Sequence, residues 1–118
     1  MPTDERFPDA IAVERMASFF GVQSAGKFQL RGLGTFVLSR SEIYFERLLP
    51  RKAFHIPIDS IIGVETPLSF LGKTRFNPLL KVVFTNAQGQ PDAIAWDIPN
   101  REGLKSQIES LIEKKKNG

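Results

Sequence analysis

The chain contains no cysteine, one histidine (His55), one tyrosine (Tyr44) and one tryptophan (Trp96). Without cysteine it has no disulfide scaffold, no thiolate metal site and no thiol nucleophile. Its 118 residues must therefore hold together by burial alone; a single domain of that size buries about two-thirds of the surface its unfolded chain exposes. A lone histidine has no cysteine or second histidine with which to build a zinc site. There is no G-x-S-x-G elbow, and Ser39, Ser41, Ser60 and Ser69 sit in turn-like contexts. No apolar run approaches the ~18 residues of a membrane span. The first residues, MPTDERFPD, carry acids where a secretory signal would be basic. These absences lead us to expect a soluble, cytoplasmic, non-enzymatic chain with no catalytic residues, no bound metal and no cofactor.

Charged residues are an ordinary 25% of the chain and nearly balance, but they are unevenly placed. The net charge is only +3, too small to imply a nucleic-acid partner. Between Lys27 and Lys81, however, nine basic residues face four acidic ones, a local excess of five. Such an excess either decorates solvated strand faces or attracts an anionic partner. The carboxylates Asp59, Glu65, Asp92 and Asp97 mostly fall at turns, where they bond backbone amides rather than act as acid–base pairs. Gly32-Leu33-Gly34 opens no helix, so it lacks the amides of a phosphate loop. Tyr44 is the only aromatic clearly on the outward phase of a strand, too few for an RNA-stacking platform.

Periodicity gives the elements. Val13, Met16, Ala17 and Phe20 fall at helical spacing, with Ile11 and Phe19 widening the apolar surface, and Asp9 is placed to cap. This predicts an N-terminal helix from about Asp9 to Val22, within a segment 1–24 set apart from a main domain 25–118. Gln23–Gly26 reads as a linker. From Lys27 the period becomes two. Strands are expected around Phe28–Leu30, Thr35–Leu38, Ile43–Phe45, Ala53–Ile56, Ile61–Thr66, Leu79–Thr85 and Ala93–Ile98. Pro57 marks a strand end, and Asn86-Ala87-Gln88-Gly89 a hairpin loop. Pro67–Pro78 is a long connection holding Phe70, Leu71 and Phe76 beside Lys73 and Arg75. After Asn100, a helix N-cap by type, the residues Leu104, Ile108, Leu111 and Ile112 form one apolar stripe. Lys114–Lys116 suit a helix C-terminus. Seven short strands between two helices, with no βαβ alternation, predict a mainly β, antiparallel barrel or sandwich.

The runs Phe36-Val37-Leu38-Ser39, Ile43-Tyr44-Phe45 and Phe54-His55-Ile56-Pro57-Ile58-Asp59-Ser60-Ile61-Ile62-Gly63-Val64-Glu65 resemble GRAM and bacterial pleckstrin-homology-like domains. Leu80–Phe84, the Gly89 hairpin, Ile94-Ala95-Trp96 and the C-terminal helix continue the resemblance, which spans roughly residues 27–112. It implies a seven-stranded antiparallel barrel or sandwich of two near-orthogonal sheets, plugged by the C-terminal helix. It also implies a binding role toward lipids or protein segments rather than catalysis. Of the family's basic signature near the first hairpin, only Lys27 and Arg31 have counterparts here.

Three readings follow. The leading one is a module for protein interaction or self-association, with a protein partner or a homo-oligomer, using the apolar residues Phe19, Phe20, Phe70, Leu71 and Phe76. The alternative is peripheral binding to anionic membrane lipid through Lys27, Arg31, Arg51, Lys52, Lys73 and Arg75. The last is a small molecule inside the barrel, which seven strands rich in phenylalanine leave little room for.

Overall fold

The computed structural model describes residues 7–25, 32–70, 73–74 and 78–117, the last residue and 73–74 by backbone only. Among the described residues, nine strands and one α-helix follow in order: β1 (Ala10–Val22), β2 (Gly32–Ser39), β3 (Glu42–Leu48), β4 (Arg51–Pro57), β5 (Ile61–Glu65), β6 (Ser69–Phe70), β7 (Lys73–Thr74), β8 (Leu80–Thr85), β9 (Pro91–Asp97) and α1 (Arg101–Asn117). Short 3-10 turns cover Gln23–Ala25 and Ile58–Ser60. Seven strands form one antiparallel sheet in the order β4-β3-β2-β1-β9-β8-β5, and β6-β7 make a separate small hairpin. The mainly β class and the C-terminal helix stand as expected.

The N-terminal helix does not. Residues 10–22 form β1, the central strand, paired with β2 on one side and β9 on the other. They belong to the main sheet rather than to a helical segment beside it. The misleading spacing has a physical origin. β1 carries register shifts between Ala10 and Ala12, Glu14 and Ala17, and Phe19 and Gly21. Each bulge can reverse the phase of a period-two strand. The residues turned to the main core are consequently Ala12, Ala17, Phe19 and Val22, which is neither helical nor strictly alternating. Phe20 lies in a second apolar cluster on the opposite face, so both faces of this stretch are covered and its apolar residues run together.

The main core gathers Phe36, Leu38, Ile43, Phe45, Ile56, Leu80, Val82, Ile94 and Trp96 around α1 residues Leu104 and Ile108. Trp96 meets Phe36 edge-on at 4.9 Å and Phe45 at 5.6 Å. The expected phases of β3, β8 and β9 hold: Ile43 and Phe45, Leu80 and Val82, and Ile94 and Trp96 all point into this core. The hairpin loop 86–89 is as expected, with Gly89 at φ 79° and the Asn86 side chain accepting from Gln88 N and Gln90 N, each at 3.0 Å. The second cluster, Phe20, Phe70, Leu79, Ala93 and Ala95, lies under the connection that carries β6 and β7.

The expected closed barrel is corrected too. The seven-stranded sheet is continuous through β1 rather than split in two, and it is not closed: β4 and β5 remain as its edges. α1 packs on the core through its apolar stripe, and Lys115 reaches Asp59 at 3.2 Å.

Candidate functional site: the open seam beside β4

An unclosed sheet leaves a seam. A cleft of about 800 Å³ lies there, lined by Lys52–Ile56 of β4 and by Phe84 and Asn86–Gln88 of the β8–β9 hairpin. These elements stand far apart in the strand order, so the sheet curls until β4 and the β8–β9 hairpin line one cleft. Phe19, Val22, Phe54, Ile56, Phe84 and Ile94 supply an apolar lining. The rings of Phe19 and Phe54 lie 5.0 Å apart, and those of Phe19 and Phe45 are stacked at 5.4 Å.

Two cations line the same cleft. Alternation along β4 sends Lys52, Phe54 and Ile56 to one side of the strand, and the Lys52 ammonium stands 5.3 Å from the Phe54 ring centre. Arg47, inward on β3 after Ile43 and Phe45, places its guanidinium 5.7 Å from the Phe19 ring and donates from Nε to Pro50 O at 3.0 Å. Among the described residues, no aspartate or glutamate lines it. The cleft thus combines apolar surface with positive charge, which suits a ligand with an apolar part and an anionic part.

Its wall is fixed by a buried carboxylate. Asp92 Oδ1 accepts from Ser24 N and Ala93 N, each at 2.9 Å, and Oδ2 accepts from Ser24 Oγ at 2.6 Å. This anchors the 23–25 turn to β9. The outward side of β4 is separately occupied. Arg51 donates from Nε and Nη2 to Glu46 Oε2, both at 2.8 Å, and His55 Nδ1 sits 3.2 Å from Glu42 Oε1 beside Tyr44. At the end of β3 and in the turn after it, Leu48 and Leu49 are 55% and 84% exposed.

The residues singled out from sequence divide as follows. Lys52 lines the cleft; Arg51, its neighbour, points to the other face. Lys27, Arg31, Leu71, Arg75 and Phe76 lie outside the described residues, and Lys73 is placed by backbone only. Phe19, Phe20 and Phe70 are 1%, 1% and 5% exposed, so they are core residues, and only Phe19 borders the cleft. Phe70 settles onto the sheet instead of projecting from it. Arg47 is a lining residue that basic composition does not distinguish, although its period-two phase after Ile43 and Phe45 marks it as inward. Among the described residues, no three histidine, aspartate or glutamate side chains gather as a metal ion would require, and no helix is long and apolar enough to cross a membrane.

No family model matches the chain, and no curated protein matches it. A similar solved structure is the crystal structure of the C-terminal domain of an unknown protein from Leishmania infantum. It has a TM-score of 0.64 at 14% identity and covers 90% of each chain. The likeness concerns the fold.

Proposed function

We propose that the chain is a non-catalytic binding module of pleckstrin-homology-like or GRAM-like build, and that it serves protein interaction at the β4 seam. The observation that carries the reading is the make-up of the cleft: five consecutive residues of an edge strand line it above an apolar floor. Edge strands present unpaired backbone donors and acceptors, and adding a strand there is a recurring way to bind protein segments. Antiparallel strands and a C-terminal helix packed on the core support this build, although the seven main strands form one open sheet and not two. The cysteine-free composition suits a reducing compartment, so the cytoplasm is the proposed location.

This reading keeps the leading expectation from sequence but moves its site. The N-terminal apolar helix is the central strand, and Phe20 and Phe70 are spent on the core. Among the described residues, the seam is the surface we assign to a partner. A random peptide library displayed against the immobilised full chain, counter-screened with Lys52→Glu, tests it. Peptides should enrich on the parent chain and be lost on the variant. Absence of enrichment, together with salt-sensitive sedimentation on vesicles containing anionic lipid, would replace it with the second reading.

That second reading is attachment to an anionic membrane surface, favoured by one feature. The exposed pair Leu48-Leu49 stands between Arg47 and the cations Arg51 and Lys52. Apolar insertion beside basic residues worth about 1 kcal/mol each near an anionic leaflet is how such a tip would hold.

A further inference from the structure

We infer that the seam takes an extended segment of a partner protein as an eighth strand on β4, with an acidic residue facing Lys52 and apolar residues facing Phe54 and Ile56. This rests on the proposed protein-binding role and specifies the partner.

Regularity is the first argument. β4 pairs with β3 at all seven positions, from Leu48↔Arg51 to Glu42↔Pro57, without a register shift. An unbulged strand presents an unbroken row of backbone groups, on every second residue, along its other side, and among the described residues no strand occupies that side. Added strands lie about 4.8 Å away and advance about 3.4 Å per residue. Five residues opposite Lys52–Ile56 would therefore run along the cleft-lining stretch.

Side-chain phase sets the composition. An added strand places alternate side chains beside Lys52, Phe54 and Ile56. Next to Phe54 and Ile56 they reach the apolar lining of Phe19, Phe84 and Ile94. Next to Lys52 they meet its ammonium, and no aspartate or glutamate is among the described lining residues. Opposite charges across a strand pair stabilise it and like charges destabilise it. A second copy of β4 would bring Arg51 and Lys52 but no acid, because Arg51–Pro57 contains none. The charge pattern thus disfavours self-pairing and favours an acidic partner segment.

Two end-blocked peptides test the inference on the full chain, Val-Thr-Val-Thr-Glu for an antiparallel strand and Glu-Thr-Val-Thr-Val for a parallel one. One of the two should bind saturably by fluorescence anisotropy, and changing its Glu to Lys should weaken it by about tenfold. N-methylation of alternate residues should do the same in one of the two phases, since it removes main-chain donors while keeping charge. Hydrogen exchange should show new protection at residues 52–56 and none at 61–65. Lys52→Glu, a change at an exposed position, should reverse the Glu-over-Lys preference; unchanged preference overturns the assignment. Equal binding of all methylated forms, or protection only outside β4, also overturns it. So does a dimer whose β4 amides are already protected without peptide, or protection of β4 by anionic vesicles and by neither peptide. If displayed peptides enrich yet leave 52–56 unprotected, the protein-binding reading stands and this inference falls.

Discussion

β4 and β5 end the same sheet, and they meet their surroundings in opposite ways. β5 is five residues long and carries a register shift between Ile61 and Gly63. α1 runs beside it, so that Ile62–Val64 share a groove of about 320 Å³ with Glu109, Ile112 and Glu113. Shortness, a bulge and a flanking helix are the usual means of keeping an edge from pairing. β4 has seven residues and no bulge, has no flanking helix among the described residues, and lines an apolar-floored cleft. Its protection is chemical: two cations near one end and a proline at the other. Such protection discriminates by charge and side-chain type, whereas a bulge excludes any strand. The lesson is that an edge can be blunted against its own kind while staying open to a complementary one.

The comparison breaks most sharply at α1. Ile108 is wholly buried in the main core, and Ile108→Ala should cost about 2–5 kcal/mol through lost burial and the cavity left behind. Urea denaturation gives the size of the loss. Native-state hydrogen exchange should show β5 amides losing protection ahead of β4 amides; equal loss at both edges would mean that α1 is not what guards β5.

A smaller effect is expected on the outward side of β4. Arg51 is largely exposed while Glu46 is nearly buried, so Arg51→Ala should lower stability by about 0.5–1 kcal/mol, near the upper range for exposed pairs. The change should appear as faster exchange along β3–β4, with β5 unaffected. Exchange that stays constant along β3–β4 would show that this pair does not fasten the edge.

The smallest expected change is a gain. A Cβ at Gly63 would meet nothing within 4 Å, and its φ lies outside the left-handed region. Gly63→Ala should raise stability by about 0.5 kcal/mol by restricting the unfolded chain, seen as a higher melting temperature. A lower melting temperature would show that β5 needs the freedom of glycine.

Much of the architecture was legible in the sequence because most strands obey a period of two without interruption. Ile43, Phe45, Leu80, Val82, Ile94 and Trp96 reach the core on the phases their spacing predicts. β1 was not legible, since three register shifts scramble its phase and both its faces are covered near Phe19 and Phe20. The site was only partly legible. Lys52 is a basic residue in a basic region, and composition alone separates it poorly from Arg51, although alternation sends the two to opposite faces. Arg47 needed burial of a charged residue on an inward phase, which spacing predicts against residue type. The cleft itself depends on how far the sheet curls, a property of three-dimensional twist that no local pattern encodes.

The pairing of β1 with both β2 and β9 also bears on how the chain is made. As synthesis proceeds from the N-terminus, β1 can pair with β2 early, and β3 and β4 can follow by local hairpins. Its other side must wait for β9, since Ser18 pairs with Asp97. Until then the future centre of the sheet is a temporary edge, and Phe20 waits for its packing partners Phe70, Leu79, Ala93 and Ala95, at the stage when unpaired strands are most prone to aggregate.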